Sequence, residues 1–150
     1  MRAVIQRVTR ACVKIEDETV SQINRGLLVL VGVQSADSHD DILWLAGKIP
    51  RLRIFSDENG AMNLSVLDVA GDLLVVSQFT LFASTRKGNR PSFIYAAPPE
   101  QANRIYTEFC EQLETEIAKP VRRGHFGAHM KIELLNDGPV TICIDTKRRE

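Results

Sequence analysis

Hydrophobic and polar positions follow two different rhythms along the chain. Arg2 to Thr9 alternates at the strand period, with Ala3, Ile5 and Arg7 on one face and Val4, Gln6 and Val8 on the other. Ala11 to Ile15 continues it, and Glu16-Asp17-Glu18 reads as a polar turn into Thr19 to Ile23. Leu27 to Val31 and Leu73 to Val76 are unbroken apolar runs, the pattern of strands covered on both faces. Four strands in the first 33 residues predict an antiparallel meander. The period then changes. Ile42, Leu45, Ala46 and Ile49 repeat at helical spacing behind Ser38 as N-cap, with Asp40 and Asp41 in the first turn and Pro50 as terminator. A second helix opens at Pro98-Pro99-Glu100, carries the stripe Ile105, Tyr106, Phe109, Leu113 and Ile117, and stops at Pro120. That stripe reads as core.

Between the helices, Arg51 to Phe55 reads as a short strand, Asp57 to Gly60 as a turn, and Met62 to Val69 as irregular or edge-like. The closing section is two strands, Met130 to Leu135 and Val140 to Ile144, joined or interrupted by Asn136-Asp137-Gly138-Pro139. About eight strands and two helices, without regular alternation, predict an α+β domain spanning residues 1–150. Its sheet is expected to be mostly antiparallel, curled and barrel-like, with the helices packed outside.

One stretch breaks its own pattern. From Asp72 to Phe82 a buried strand begins, then Ser77, Gln78 and Thr80 turn both faces polar at the same end. A buried hydroxyl or amide costs about 1–3 kcal/mol when unpaired. These groups are either strand-end hydrogen-bonding partners or the lining of a pocket.

Composition narrows the class without choosing a function. With 44% hydrophobic and 25% charged residues the chain is of ordinary globular make-up, and 150 residues suffice for a core without metal or disulfide support. Cys12, Cys110 and Cys143 are odd in number and form no Cys-x-x-Cys pair, so reduced, buried thiols in a cytoplasmic protein are expected. No signal-peptide pattern or membrane-length apolar run is present, and no membrane partner is expected. The formal net charge is zero, but no acidic residue occurs from Ala83 to Pro99, where Arg86, Lys87 and Arg90 gather. That loop is either a solvated surface or a phosphate contact.

Conventional chemistry is poorly supplied. The histidines are His39, His125 and His129; the last two lie four apart in a Gly-rich stretch, a weak metal signal. There is no nucleophile elbow, P-loop or dinucleotide fingerprint, and no cofactor is expected. What remains is unusual backbone at Gly138-Pro139, which reads either as a plain turn or as a cis X-Pro site.

Taken together, Ser77-Gln78-Phe79-Thr80-Leu81 and Asn136-Asp137-Gly138-Pro139-Val140-Thr141 resemble the two signature motifs of the D-aminoacyl-tRNA deacylase (D-tyrosyl-tRNA deacylase) family. The likeness extends over the chain, through Met1 to Val8, Leu52 to Phe55, Met62 to Ser65, Thr85 to Ser92 and Gly124 to Met130. It implies a homodimeric cytoplasmic hydrolase that cuts the ester between a D-amino acid, or glycine, and the 3′-terminal ribose of tRNA. It also implies a cis Gly138-Pro139 bond, braced by Arg7, that projects into the partner subunit's site and rejects L side chains by main-chain contact. Ser77, Gln78, Phe79 and Thr80 would then be the catalytic segment, and Phe126 and Met130 walls near the aminoacyl-adenosine. Asn136 and Thr141 would bind substrate, and Arg86, Lys87 and Arg90 would contact the tRNA end. Two routes to hydrolysis stay open. In one, Thr80 is a nucleophile, although the sequence offers no evident base. In the other, backbone N–H groups around Ser77 to Phe79, with the Gln78 amide, form an oxyanion site while the substrate's 2′-hydroxyl assists water. Two further alternatives are a non-catalytic dimeric module binding a D-amino acid or nucleotide, and a general esterase dependent on Thr80.

Overall fold

The computed structural model describes residues 1–149. The chain folds as β1 (Arg2–Ile15), β2 (Glu18–Ile23), β3 (Gly26–Gly32), α1 (His39–Lys48), β4 (Phe55–Ser56), β5 (Met62–Leu64), β6 (Asp72–Ser77), α2 (Pro99–Ile117), β7 (Arg122–Arg123) and β8 (Lys131–Asp145). β8 runs antiparallel along one edge of β1, from Lys14 opposite Lys131 to Arg2 opposite Asp145. β2 and β3 share the other edge end to end, Ala11 facing Ile23 and Val8 facing Gly26. Beyond β3 the sheet turns parallel, with Leu27 opposite Leu73 and Val75 opposite Arg123. The result is a curled, mixed sheet with a separate β4–β5 ribbon.

The unbroken apolar runs have the two-sided burial their composition demands. Leu27, Val29, Val31, Leu73 and Val75 meet the helices, while Leu28, Leu74 and Val76 join Val8, Ala11, Val13 and Ile23 on the opposite face. The stripe on α2 is fully enclosed, and burying each such large side chain stabilises by about 1.5–3 kcal/mol. Ser38 caps α1 as expected: Asp41 Oδ2 accepts from both the Ser38 N–H (2.8 Å) and its hydroxyl (3.0 Å). Asp41 also meets Lys147 at 2.6 Å, tying α1 to the chain's far end.

Several expectations are corrected. Ala11 to Ile15 does continue the strand begun at Arg2, so the first 33 residues hold three strands and not four; β8 accompanies β1 through two register shifts that absorb the irregularity near Val8. Arg51 to Phe55 is not a strand. Ile49–Arg51 forms a 3-10 turn around Pro50, and Ile54 N–H bonds back to Leu52 at 3.0 Å, which no extended ladder permits. Met62–Leu64 does pair, with β4. The last section is a single strand, β8, interrupted at Gly138-Pro139 and not folded back there. The parallel pairing of β3, β6 and β7 makes the sheet mixed where a mostly antiparallel one is expected, since α2 carries the chain from the β6 end back to β7 as a crossover. Of the thiols, only Cys110 is buried; Cys12 is half-buried and Cys143 exposed. Burial pushes the Cys110 thiol up to about 12, so it stays protonated.

Candidate active site

The strand that begins at Asp72 does not run on to Phe82. β6 ends at Ser77, opposite Val31, and the chain then tightens into a 3-10 turn over Phe79–Phe82. Its reason lies next door. β3 finishes at Gly32, so the last rung is the Gln78 N–H donating to Val31 O at 2.7 Å, and no neighbour extends the ladder. The turn then packs onto Gly32, where an added Cβ would stand 2.9 Å from Gln78 O and 3.2 Å from Leu81 Cβ. Within the turn, Leu81 N–H donates to Gln78 O and Ala83 N–H to Thr80 O. Phe79 and Thr80 therefore open the turn, and their N–H groups precede its first internal bond.

Ser77, Gln78 and Phe79 border a cavity of about 650 Å³, walled by Phe93, Phe126, Met130 and Ile132 and closed by the start of α2. That volume suits a small organic group with an apolar body. The polar break in the sequence thus marks a pocket lip. Tyr106 on α2 supports the floor: its hydroxyl donates to Val75 O at 2.9 Å, an acceptor shared with the Gly124 N–H, and its ring lies 6.0 Å from that of Phe126. Desolvation raises the Tyr106 pKa, so the phenol stays neutral. A Cβ at Gly124 would sit 2.8 Å from Met130 Sδ, so any larger residue there would displace the methionine side chain. Met130 packs against the buried cluster that includes Val76.

Thr80 is exposed and outside the cavity lining. Its hydroxyl accepts the Gln78 amide at 2.5 Å, a donor and not a base. His129, a weak metal signal in the sequence, does line the cavity, although it makes no hydrogen bond with Ser77 or Thr80 among the described residues. A side chain in a loop carries no periodic signal by which the sequence could have placed it there. No group of three or more His, Cys, Asp or Glu residues is arranged to hold a metal ion among the described residues.

The second motif lies elsewhere on the chain. Gly138 and Pro139 are exposed, joined by a cis peptide, and absent from the cavity lining. Their base is firmly built. Arg7, only 8% exposed, donates from Nε to Asp137 O at 3.0 Å and from Nη1 to Ile54 O, and pairs with the Asp137 carboxylate at 3.3 Å. Asn136 clamps the other side, its Nδ2 donating to Val140 O and its Oδ1 accepting the Val140 N–H, both at 3.0 Å. Thr141 Oγ1 accepts from Gln6 Nε2 at 3.3 Å. Within one chain, then, Asn136 and Thr141 shape the loop and strand and do not reach the cavity. Arg86, Lys87 and Arg90 are all exposed in the loop closed by the Ser84–Ser92 bridge.

Comparison with known proteins places the chain among its relatives. Residues 4–145 match the family model described as D-Tyr-tRNA(Tyr) deacylase. Proteins named D-aminoacyl-tRNA deacylase from Bacteroides fragilis (strain YCH46) and Flavobacterium johnsoniae are each 57% identical over 150 residues, covering all of both chains. A solved structure described as a c-Myc DNA unwinding element binding protein superposes with a TM-score of 0.90 at 43% identity, covering 97% of this chain and 98% of that one. A probable eukaryotic D-amino acid tRNA deacylase shares the fold, with a TM-score of 0.80 at 18% identity over 95% and 97% of the two chains. With residues 4–145 matched by the family model and relatives of that name 57% identical over all 150 residues, the chain belongs to the D-Tyr-tRNA(Tyr) deacylase family.

Proposed function

We infer that this chain hydrolyses the ester linking a D-amino acid to the 3′-terminal ribose of tRNA, releasing free amino acid and tRNA. The reading rests on one coincidence: the segment Ser77 to Phe79, which resembles the family's first signature, forms the lip of an apolar cavity large enough for the aminoacyl end. The glycyl ester, which has no side chain to reject, is a substrate of the same site.

Backbone and substrate supply the chemistry. Water attacks the ester carbonyl with help from the neighbouring 2′-hydroxyl, and the developing oxyanion takes hydrogen bonds from the N–H groups of Phe79 and Thr80. Gln78 N–H is committed to Val31 O and is not a donor here. Each well-aimed donor of this kind is worth about 2.7–4 kcal/mol. Thr80 as nucleophile is the weaker reading, since its hydroxyl has an amide neighbour where a base is needed. Phe126 and Met130 wall the aminoacyl-adenosine, and Arg86, Lys87 and Arg90 meet the phosphates of the acceptor end.

Chirality is read by a second copy of the chain. The exposed Gly138-Pro139 element, braced by Arg7 and Asn136 yet outside its own cavity, reaches the cavity of a twofold partner. Its carbonyls there leave space for hydrogen at Cα and obstruct an L side chain. β8 supports this arrangement as well, because one edge of that long strand has no pairing partner among the described residues. Release of amino acid from matched D- and L-tyrosyl-tRNA tests the whole reading. The D ester is cleaved and the L ester spared; equal cleavage of both would remove the chiral account, and cleavage of neither would leave a binding module.

A further inference from the structure

The rim of the cavity presents apolar surface that the ester chemistry does not use. Ala96 N–H donates to Phe93 O at 3.0 Å and closes a tight turn with Ile94 and Tyr95 at its centre. Both flanks of this turn are anchored. The Phe93 ring meets that of Phe79 edge-on at 5.0 Å, and Ala97 N–H donates to Val33 O at 2.9 Å. Turn centres ordinarily carry Gly, Pro, Asn, Asp or Ser. Here they carry an isoleucine 78% exposed and a tyrosine 59% exposed, with Phe79 nearby at 54%. A single exposed apolar residue needs no explanation, but a rigidly mounted group beside a substrate cavity does.

The adjoining charge identifies the occupant. Immediately upstream, Ser84 and Ser92 exchange backbone hydrogen bonds at 2.7 and 2.9 Å and close the loop holding Arg86, Lys87 and Arg90. No acidic residue lies between Ala83 and Pro99, so this positive charge is not neutralised locally in sequence. Apolar flat surface next to unopposed cations is complementary to a flexible polyanion whose units expose π faces, which is unpaired RNA. We propose that the Ile94–Tyr95 turn is a stacking shelf for the unpaired nucleotides just upstream of the terminal adenosine of the RNA substrate. Arg86, Lys87 and Arg90 hold the intervening phosphates. The proposal rests on the deacylase reading, and it assigns to Tyr95 a positioning role away from the scissile ester.

Two esters separate the shelf from the catalytic site: D-tyrosyl-tRNA, which has the upstream nucleotides, and 3′-O-D-tyrosyl-adenosine, which lacks them. Ile94→Ser/Tyr95→Ala should lower kcat/KM for the tRNA ester relative to the adenosine ester about tenfold, through KM and not kcat, and Tyr95→Phe should restore it. Fluorescence anisotropy of a labelled single-stranded oligonucleotide with the tRNA 3′-terminal sequence should show the same tenfold weakening. In the same assay, Arg86→Ala/Lys87→Ala/Arg90→Ala should flatten the plot of log affinity against log salt by about 2. An unchanged ratio of the two esters overturns the shelf, as does an equal loss on both. A fall in the light-scattering mass of the Ile94→Ser/Tyr95→Ala variant also overturns it, because the turn would then be covered by a second copy of the chain. If the wild type cleaves neither ester, it is the deacylase reading that fails; the oligonucleotide comparison then decides the shelf alone.

Discussion

Two residues show how much of this molecule's behaviour hangs on single atoms. Gly138 has φ +132°, and a Cβ there would meet Val140 Cγ2 at 2.8 Å and Arg7 Nη2 at 3.0 Å. Gly138→Ala is therefore expected to destabilise by about 1–3 kcal/mol, read as a lowered urea midpoint with unchanged m-value. An unshifted midpoint would mean that the loop relaxes freely and that Arg7 does not brace it. Thr80 is the opposite case. With an amide as its only side-chain partner, Thr80→Ala should keep deacylation of D-tyrosyl-tRNA within about tenfold of wild type, whereas removing a nucleophile costs on the order of 10⁴ or more. Single-turnover rates distinguish the two.

At the scale of elements, α1 is held at its start by a carboxylate with several donors. Burial of Asp41 works to raise its pKa, but hydrogen bonds from Lys147, Thr146 and Ser38 overcome this and keep it well below the usual carboxylate range. The folded-state pKa is thus depressed relative to the unfolded value of about 3.9. Its contribution is fully present above that value and is lost as pH falls from there toward the folded pKa. Asp41→Asn should cost about 0.5–2 kcal/mol at neutral pH, and thermal melts below about pH 4 should show the gap between variant and wild type closing. A gap that widens on acidification would contradict the assignment. The floor of the cavity makes a parallel case. Tyr106→Phe removes one of two donors to Val75 O, while Gly124 N–H remains, so a loss of about 0.5–1.5 kcal/mol in denaturant titration is expected.

For the whole molecule, the separation of the two motifs is the central fact. The pocket lip at Ser77 to Phe79 and the braced loop at Gly138-Pro139 are both rigidly built, yet one chain does not bring them together. In the proposed dimer, a twofold axis would do so at two equivalent sites. Light scattering should accordingly give a mass twice the 16.8 kDa of the chain. Dilution below the dissociation midpoint should erode rejection of L-tyrosyl-tRNA, with the D:L rate ratio as the readout. A monomer retaining full discrimination would sink the cross-subunit selector.

Local information determined a good deal of this protein. The alternation of β1, the two-sided apolar runs of β3 and β6, the Ser38 cap and the helical stripe of α2 are all nearest-neighbour patterns, and each folded as its spacing requires. The polar interruption after Val76 marked the cavity lip, and the paired motifs named the family. Tertiary structure decided the rest. β6 stops at Ser77 because β3 stops at Gly32, and Gln78 loses its N–H to Val31, which shifts the free donors to Phe79 and Thr80. β3 and β6 run parallel because of where α1 and the β4–β5 ribbon lead the chain between them, a matter of path and not of periodicity. Thr141 meets Gln6, and His129 reached the cavity, through contacts between residues far apart along the chain. A side-chain period reports which face a residue occupies; only the packed chain says what that face meets.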